Sequence, residues 1–357
     1  MPSPLVTIVT TVRDAGARLD PAFESIVRQT FRDWEWLVAD DGSHDGSDAR
    51  IEGWARRDPR IRVRRGARGA RGGMVALLNE ALAEARGALV ARMDADDVAH
   101  AERLAEQVAF LDRVPGVAVV DSRVASIGTA PGGGAGMRRF VDWANGLADG
   151  ERGGGESHAA IERDFFVESP VINPAATARR AAIAAAGGYR DGDFPEDYDL
   201  WLRLLLRGER FTKIPRVLLE WRDAPTRLTR THPRFRPAAF LAIKSEALWA
   251  LEGGRMARGP LAVWGAGGRG RAWRRFLRER GARPAFVVDI DPRKIGRALD
   301  GAPVVAPGAL RERAWAYLLV VVAAPGARAA IRAHLETARL ADAPGLATDG
   351  RIVRFVQ

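Results

Sequence analysis

The first 120 residues alternate between short apolar runs and segments with helical periodicity. The runs that predict β-strands are Leu5–Thr11, Trp34–Ala39, Ile61–Val63, Ala88–Met93 and Val117–Val120. Between the runs, apolar residues recur three or four positions apart, which is the spacing of one face of an amphipathic helix. The clearest helices predicted in this way are Met74–Ala85 and Glu102–Leu111. Strands that alternate with helices are typical of an α/β fold with a mostly parallel central sheet.

Polar and acidic residues follow three of these predicted strands directly. They lie at Thr11–Asp14, at Asp40–Asp41 and at Asp94–Asp97. The carboxyl ends of parallel strands meet at one edge of a sheet, where ligands of α/β proteins bind. We therefore expect the three clusters to face one crevice. A fourth acidic cluster, Glu196–Asp199, begins a helix predicted over Asp197–Arg207.

The segment Asp94–Asp97 places three carboxylates within four residues. Their mutual repulsion must be offset, and a divalent cation bound together with phosphate oxygens would do so. Mg²⁺ and Mn²⁺ both favour oxygen ligands and are commonly completed by waters and substrate phosphates. The pattern therefore favours a metal-assisted phosphate site at the end of this strand.

Each acidic cluster also has a simpler interpretation when it is considered alone. Asp94–Asp97 could be an acidic turn, and Asp40–Ser43 could be a turn followed by a helix cap. Acidic residues in the first turn of a helix, as at Glu196–Asp199, are favoured by the helix dipole. A carboxylate there that faces a cleft could instead serve as a general base.

Taken together, the motifs resemble the inverting family 2 glycosyltransferases of the GT-A fold. The resemblance extends over residues 4–232, and its motifs are weak singly but specific in their order and spacing. The segments that carry it are 6–14, 25–31, Asp40–Ser43, Asn79, 92–97, 187–189 and 196–203.

The resemblance implies a nucleotide-diphosphate sugar as donor, with a UDP-sugar as the first expectation. The residues that would bind it are Thr11, Asp14, Asp41, Gly73, Asn79, Asp94 and Arg222. Among them, Asp94 would contact the ribose, and Asp41 would accept a hydrogen bond from the base. Some positions depart from the family pattern. Among them, Asp14 stands where Asn is common, and the His usually found near Arg222 is missing.

The resemblance also implies a metal site and a catalytic base. Asp96 and Asp97 would hold Mn²⁺ or Mg²⁺ on the diphosphate. Asp197, with Glu196 as its neighbour, would take the proton of an acceptor hydroxyl as that hydroxyl attacks the anomeric carbon. The acceptor would be a saccharide or a lipid-linked precursor of a cell-surface polysaccharide.

The C-terminal part of the chain begins a second βαβ pattern. Gly265, Gly267 and Gly270 follow a predicted strand and open a helix, and Asp289 ends the next strand. This context is typical of dinucleotide-binding folds, although a structural glycine turn is an equally simple interpretation. The sequence thus predicts a GT-A domain over 1–251, a linker over 252–260 and a small Rossmann-like domain over 261–357.

Composition excludes several classes of protein. The 357 residues include no cysteine and five histidines, which excludes disulfides, thiolate metal sites and cysteine nucleophiles. The net charge of +10 lies almost wholly in residues 261–357, which contain 17 basic and 8 acidic residues. A solvated arginine face is the simplest reading of this charge, and no basic motif interleaved with aromatics favours nucleic acid as a partner.

The sequence therefore predicts a metal-dependent inverting glycosyltransferase. No apolar run reaches the ~20 residues that a membrane span needs and no signal peptide is evident, so a cytoplasmic protein is expected. A lipid-linked acceptor would bring it to the inner face of the membrane. A catalytically silent nucleotide-sugar binding protein is the main alternative, and a nicotinamide-dependent oxidoreductase based on the C-terminal module is a weaker one.

Overall fold

The computed structural model describes residues 3–66, 73–128, 134–149, 157–225, 227–324, 326–338, 340 and 351–357. The chain divides into two compact units. The first unit comprises Met1–Ile161 and Pro170–Phe240, and the second comprises Glu162–Ser169 and Leu241–Gln357.

The first unit is built on an eight-stranded sheet with the order β3-β2-β1-β4-β7-β6-β8-β5. Its strands are β1 (Val6–Val12), β2 (Trp34–Asp40), β3 (Ile61–Arg65), β4 (Leu89–Arg92), β5 (Val98–Ala99), β6 (Val117–Ile127), β7 (Thr177–Arg179) and β8 (Arg210–Arg222). Strands β1 to β4 pair in parallel, as do β6 and β8. Strands β5 and β7 pair antiparallel with their neighbours.

Helices lie between and after these strands. They are α1 (Leu19–Val27), α2 (Ser47–Arg57), α3 (Gly73–Glu84), α4 (Arg103–Arg113), α5 (Gly134–Gly146), α6 (His158–Asp164), α7 (Arg180–Ala185), α8 (Glu196–Leu206), α9 (Leu228–Thr231) and α10 (Pro237–Arg258). Short 3-10 helices lie at Gly16–Arg18, Leu147–Asp149, Asn173–Ala175 and Pro233–Phe235.

Strands β1 and β2 are buried on both faces, which explains their near-continuous apolar sequences. Every residue of β2 is buried, including Trp36 and Glu35. On one face, the Trp36 indole packs edge-on against Phe23 at 4.7 Å and donates a hydrogen bond to Thr10 Oγ1 at 2.9 Å. On the other, Glu35 accepts hydrogen bonds from Thr7 and from the Arg86 side chain. These contacts hold β1 and β2 together near the start of β2.

The second unit contains a smaller sheet with the order β11-β12-β10-β9-β13-β14. Its elements are β9 (Leu261–Trp264), α11 (Gly268–Glu279), β10 (Pro284–Val288), β11 (Ala298–Leu299), β12 (Ala302–Val305), α12 (Ala309–Glu312), β13 (Tyr317–Val321), α13 (Ala327–Thr337) and β14 (Ile352–Val356). Five neighbouring strands of this sheet pair in parallel, in the order β12, β10, β9, β13 and β14. This order matches the predicted Rossmann-like arrangement.

The glycine-rich turn after β9 is shaped by close backbone approaches. Gly265 has φ +130°, which disfavours any side chain. A Cβ added to Gly270 would fall inside van der Waals contact with the Gly265 carbonyl oxygen. A Cβ on Gly268 would meet no atom within 4 Å. Only some glycines of the motif are therefore required by packing.

The α/β architecture and the mostly parallel sheet predicted from the sequence are confirmed. The linker predicted over 252–260 is different in the structure, because residues 252–258 form the end of α10. Glu252 and Met256 are buried, and the Glu252 carboxylate binds Arg354 and the Tyr317 hydroxyl. These contacts hold the Gly253–Gly254 pair in a helix despite its low helical propensity. The division between the units falls at 240/241 rather than at 251/252.

We predict that Gly270→Ala destabilises the protein, because the new methyl group must displace the Gly265 carbonyl. The expected loss is about 1–3 kcal/mol. Gly268→Ala is the matched control, since its Cβ enters open space, and it should leave stability nearly unchanged. Thermal and denaturant unfolding of the full chain measure both variants. Equal effects of the two substitutions would contradict this packing account.

Candidate active site

The loop after β4 carries the first acidic cluster. Asp94 is partly exposed and forms an ion pair with buried Arg92 at 3.2 Å. Asp96 is also partly exposed, and burial followed by the charge of Asp94 raises the pKa of its carboxyl. Buried Asp97 completes the cluster. The loop therefore holds two partly exposed carboxylates, Asp94 and Asp96, and one buried carboxylate, Asp97.

Asp97 forms a hydrogen bond with the last residue of β8. Its Oδ1 accepts a hydrogen bond from the Arg222 backbone N–H at 2.7 Å, whereas its buried Oδ2 has no hydrogen-bond partner in the described part of the chain. Burial, then the charges of Asp94 and Asp96, raise the pKa of this carboxyl well above its usual range. An orphaned buried carboxylate oxygen is costly and indicates that a proton or a cation completes its surroundings.

The second acidic cluster lies in the first turn of α8. Glu196, Asp197 and Asp199 all fall within this turn. Glu196 pairs with Arg234 at 3.1 Å, and Asp199 pairs with Arg190 and Arg203. Among the described residues, no cation pairs with Asp197. Its carboxylate only accepts a hydrogen bond from the next backbone N–H, that of Tyr198, at 2.7 Å.

The surroundings of Asp197 connect the two clusters. Burial, then the charge of Glu196 and that of Asp94, raise the pKa of the Asp197 carboxyl to about 7. Asp94 and Asp197 are 103 positions apart in sequence, yet their charges interact. Tyr189 is affected by the same groups, because its pKa is raised by burial and by the charges of Asp197, Glu196 and Asp94, while Arg92 opposes this rise. The interaction between their charges indicates that the two acidic clusters lie near each other.

The loops after β1 and β2 are joined by hydrogen bonds. Asp14, in a left-handed conformation with φ +49°, accepts a hydrogen bond from the His44 N–H at 2.8 Å, and its own N–H donates to Ser43 Oγ. Asp41 is near exposed Arg13 at 3.4 Å. Thr11, at the end of β1, is partly exposed beside Ala39. The predicted nucleoside residues thus lie on two adjacent and mutually supported loops.

Asn79 has a different environment from the one expected. Both ends of its side-chain amide bind the Tyr189 backbone. Asn79 Nδ2 donates a hydrogen bond to the Tyr189 carbonyl oxygen at 2.8 Å, and Asn79 Oδ1 accepts one from the Tyr189 N–H at 2.9 Å. Gly188, with φ +70°, leaves room for this contact, since a Cβ there would lie 2.7 Å from Asn79 Oδ1. Asn79 therefore ties α3 to the turn before α8. Gly73 begins α3 with φ +46°.

Arginines from separate elements surround Asp96. The Arg222 guanidinium donates from Nε to the Asp96 carbonyl oxygen at 2.8 Å. Arg227 donates to the Arg222 carbonyl at 2.9 Å and lies over the Trp221 ring at 4.2 Å. The charges of Arg18, Arg227 and Arg222 all oppose the rise in the pKa of Asp96. This arrangement could accept a polyanion beside the acidic loop.

The donor set suits a hard cation that arrives with a ligand. Within the described ranges, no three acidic or histidine side chains are arranged to hold a metal ion by themselves. Asp96 and the orphaned Oδ2 of Asp97 supply carboxylate oxygens, which Mg²⁺ and Mn²⁺ prefer. The remaining positions would have to come from waters and phosphate oxygens. The residues therefore fit the predicted metal.

In the second unit, Asp289 does not present a free carboxylate. One oxygen accepts hydrogen bonds from the Ala266 N–H at 2.8 Å and from Lys294 at 3.2 Å, and the other accepts from the Asp291 N–H. Although burial opposes it, these bonds keep the pKa of Asp289 below its usual range. Asp289 thus fastens the loop after β10 to the turn that contains Gly265, Gly267 and Gly270.

Several residues near the crevice were not identified from the sequence. Arg92, Tyr189 and Arg234 each interact with these carboxylates. Arg92 and Tyr189 lie in segments that carry the family resemblance, but no role was predicted for either, and Arg234 lies outside those segments. Arg234 lies 38 positions from Glu196 in sequence, so only the fold brings the two together. Arg92 precedes the acidic cluster directly, and its position in a buried strand was the available signal.

Comparison with known proteins identifies the class of protein. Residues 7–148 match the model of a family described as "Glycosyl transferase family 2". The chain is 28% identical over 225 residues to the putative glycosyltransferase EpsE of Bacillus subtilis. It is 31% identical over 112 residues to the UDP-Glc:alpha-D-GlcNAc-diphosphoundecaprenol beta-1,3-glucosyltransferase WfgD of Escherichia coli. Residues 7–148 are therefore similar to family 2 glycosyltransferases.

A solved structure with the same fold is that of S. aureus TarS 1-349 in complex with UDP-GlcNAc. The TM-score is 0.55 at 16% identity, and the match covers 69% of this chain and 66% of that one. The fold is thus of the GT-A type. The match to EpsE covers 62% of this chain and 73% of EpsE. The match to WfgD covers 30% of this chain and 41% of WfgD. A third relative is matched over only 23% of its own length.

No helix in the described part of the chain combines the length and the apolar character needed to cross a membrane.

The two neighbouring carboxylates of α8 should respond oppositely to amide substitution. Asp197→Asn should stabilise the protein at pH 8 by about 1–2 kcal/mol, because the native state then no longer contains a poorly compensated charge. A raised pKa of about 7 means that stability falls as pH rises from about 4 to 7. The gain should therefore be full above pH 7 and vanish near pH 4.

Asp199→Asn is the matched comparison, two positions along the same helix. It leaves Arg190 and Arg203 without their shared partner, so it should destabilise the protein by about 2–3 kcal/mol. Denaturant unfolding at pH 4, 6 and 8 measures both variants. A stability difference for Asp197→Asn that does not change with pH would contradict the assigned environment.

Proposed function

We propose that this protein is a metal-dependent inverting glycosyltransferase that moves a sugar from a nucleotide-diphosphate sugar to an acceptor hydroxyl. The observation that carries the proposal is Asp197, a carboxylate that pairs with no cation of the described residues and whose charge interacts with that of Asp94. A carboxyl with a pKa of about 7 is suited to accept a proton near neutral pH.

The donor is a UDP-sugar in this proposal. The nucleoside would contact Thr11, Asp14 and Asp41, and the ribose would contact Asp94. The choice of uracil is supported by the fold shared with TarS, which binds UDP-GlcNAc. Gly73 and Asn79 would shape the pocket, with Asn79 acting through its bonds to Tyr189 rather than by touching the donor.

The acceptor is a saccharide or a lipid-linked saccharide, and the protein takes part in the synthesis of a cell-surface polysaccharide. The name of WfgD, which acts on a diphosphoundecaprenol-linked sugar, supports a lipid-linked acceptor. A peripheral position at the inner face of the membrane would follow from such a substrate.

The chemistry is a single displacement. The Asp197 carboxylate takes the proton of the acceptor hydroxyl, whose oxygen attacks the anomeric carbon. The bond to the diphosphate breaks on the opposite face, so the configuration at this carbon inverts. Proton transfer to a well-placed base contributes ~10²–10⁴-fold to such reactions.

Negative charge grows on the diphosphate as its bond to the sugar breaks. Asp96 and Asp97 would hold Mn²⁺ or Mg²⁺, which supplies positive charge to phosphate oxygens when bound. Arg222, with Arg18 and Arg227 beside it, would contribute further positive charge that is already in place before the reaction. We assign these arginines to the diphosphate side of the crevice.

Asp96→Ala should remove the effect of metal on nucleotide binding. Calorimetric titration with UDP is expected to show tighter binding with Mn²⁺ than without it for the wild-type protein. The variant should lose about 10-fold or more of the affinity measured with Mn²⁺. Asp112→Ala, which changes an exposed carboxylate of α4, is the control. Unchanged Mn²⁺-dependent affinity in Asp96→Ala would refute the metal assignment.

Asp197→Asn should separate binding from catalysis. The amide keeps the shape of the side chain but cannot accept the proton, so turnover should fall by ~10²–10⁴-fold while UDP affinity stays within about twofold of wild type. Transfer to a saccharide acceptor and UDP release together measure turnover. Near-normal turnover would place the base elsewhere, and a wild-type protein that binds UDP-sugars without transfer or hydrolysis would be a binding protein instead.

A further inference from the structure

The three carboxylates in the first turn of α8 are treated differently by the fold. Asp199 is bound by Arg190 and Arg203, with the Nε atoms of the two arginines at 3.0 and 2.8 Å. Glu196 is bound by Arg234. Asp197 lies between them and has no cationic partner among the described residues. Asp197 therefore differs from Glu196 and Asp199 in that each of those two carboxylates forms an ion pair with arginine.

Arg234 reaches α8 from the segment that follows β8. It lies in the 3-10 helix Pro233–Phe235, and its backbone N–H donates to His232 Nδ1 at 3.3 Å. Its guanidinium forms two contacts of 3.1 Å, one with Glu196 Oε2 and one with Asp191 Oδ1. Asp191 belongs to the loop that leads into α8. One arginine thus joins the first turn of the helix to the loop before it.

The pair formed by Arg234 and Glu196 is largely shielded from water. The side chain of Arg234 is 15% exposed and that of Glu196 is 7% exposed. Charges in such surroundings are only weakly screened, so the charge of Glu196 acts strongly on the carboxylate of Asp197. Glu196 and Asp94 are the negative groups that act on Asp197, and Arg92 is paired with Asp94.

We infer that Arg234 is a positioning residue of the active site, which neutralises Glu196 and fixes the first turn of α8 so that Asp197 alone faces the acceptor as a free carboxylate. This inference rests on the proposed function, because it concerns the base of that reaction. It also assigns Glu196 a supporting place beside the base, without contact to the substrate.

Removal of Arg234 should change the pH dependence of turnover. In Arg234→Gln, the charge of Glu196 is no longer compensated, so the ionised form of Asp197 is disfavoured. The acidic limb of the kcat profile should therefore move to higher pH by about one unit. Arg234→Lys should return part of the shift. Arg236→Gln, which removes an exposed arginine of the same segment, should leave the profile unchanged.

The double variant Glu196→Gln with Arg234→Gln distinguishes charge from structure. Both charges are then absent, so its acidic limb should return close to that of the wild type, although the contact to Asp191 is still lost. UDP affinity should stay within about twofold in all these variants. The double variant also tests the inference if Arg234→Gln alone does not fold.

Two results would overturn the inference. One is an acidic limb in Arg234→Gln that coincides with that of the wild type, and the other is a double variant with the same shift as the single one. Asp197→Asn is measured alongside them. If Asp197→Asn retains turnover, the proposed base is wrong, whereas an inactive Asp197→Asn with an unshifted Arg234→Gln overturns only the part assigned to Arg234.

Discussion

Repulsion among carboxylates is the constraint on which the crevice depends. The end of β4 and the start of α8 bring five of them together: Asp94, Asp96, Asp97, Glu196 and Asp197. Unpaired charges in partly buried surroundings are unfavourable by several kcal/mol unless they are paired or protonated. The fold supplies arginines to only some of these groups, and the others are left to take up a proton or a cation.

The distribution of arginines therefore divides the carboxylates by function. Arg92 is paired with Asp94 and Arg234 with Glu196, which leaves Asp96, Asp97 and Asp197 as the groups whose pKa values are raised. Asp96 and Asp97 lie beside a group of arginines at the end of β8, and Asp197 lies on the other cluster. In the proposed function, Asp96 and Asp97 would lie on the phosphate side of the site and Asp197 on the acceptor side.

Local sequence patterns were sufficient to predict much of this arrangement. The alternation of strands and helices, and the acidic residues that follow β4 and begin α8, are consequences of short-range periodicity and of the parallel sheet. Contacts between distant segments were not predictable in the same way. Arg234 reaches Glu196 and Asn79 binds the Tyr189 backbone only because the chain folds back over these positions, and buried Glu252 keeps a glycine pair helical where composition indicated a linker.

The second unit shows the same limit for a motif. The sequence left two interpretations open for Gly265 and Gly270, a nucleotide site or a structural turn, and their spacing is what the local packing requires. Asp289 is used to fasten the turn, so its carboxylate is already bonded. A motif that satisfies the packing of a βαβ turn does not by itself define a ligand, so nucleotide binding by this unit stays a prediction.

The central claim is that the acidic loop after β4 and the first turn of α8 serve one bound donor. The most direct measurement is an anomalous difference map from crystals grown with Mn²⁺ and UDP. The account predicts a manganese peak about 2.1 Å from an Asp96 carboxylate oxygen, with the UDP phosphates beside it and Asp197 across the same cavity. A manganese ion bound away from the loop after β4, or UDP in a cavity that Asp197 does not line, would contradict it.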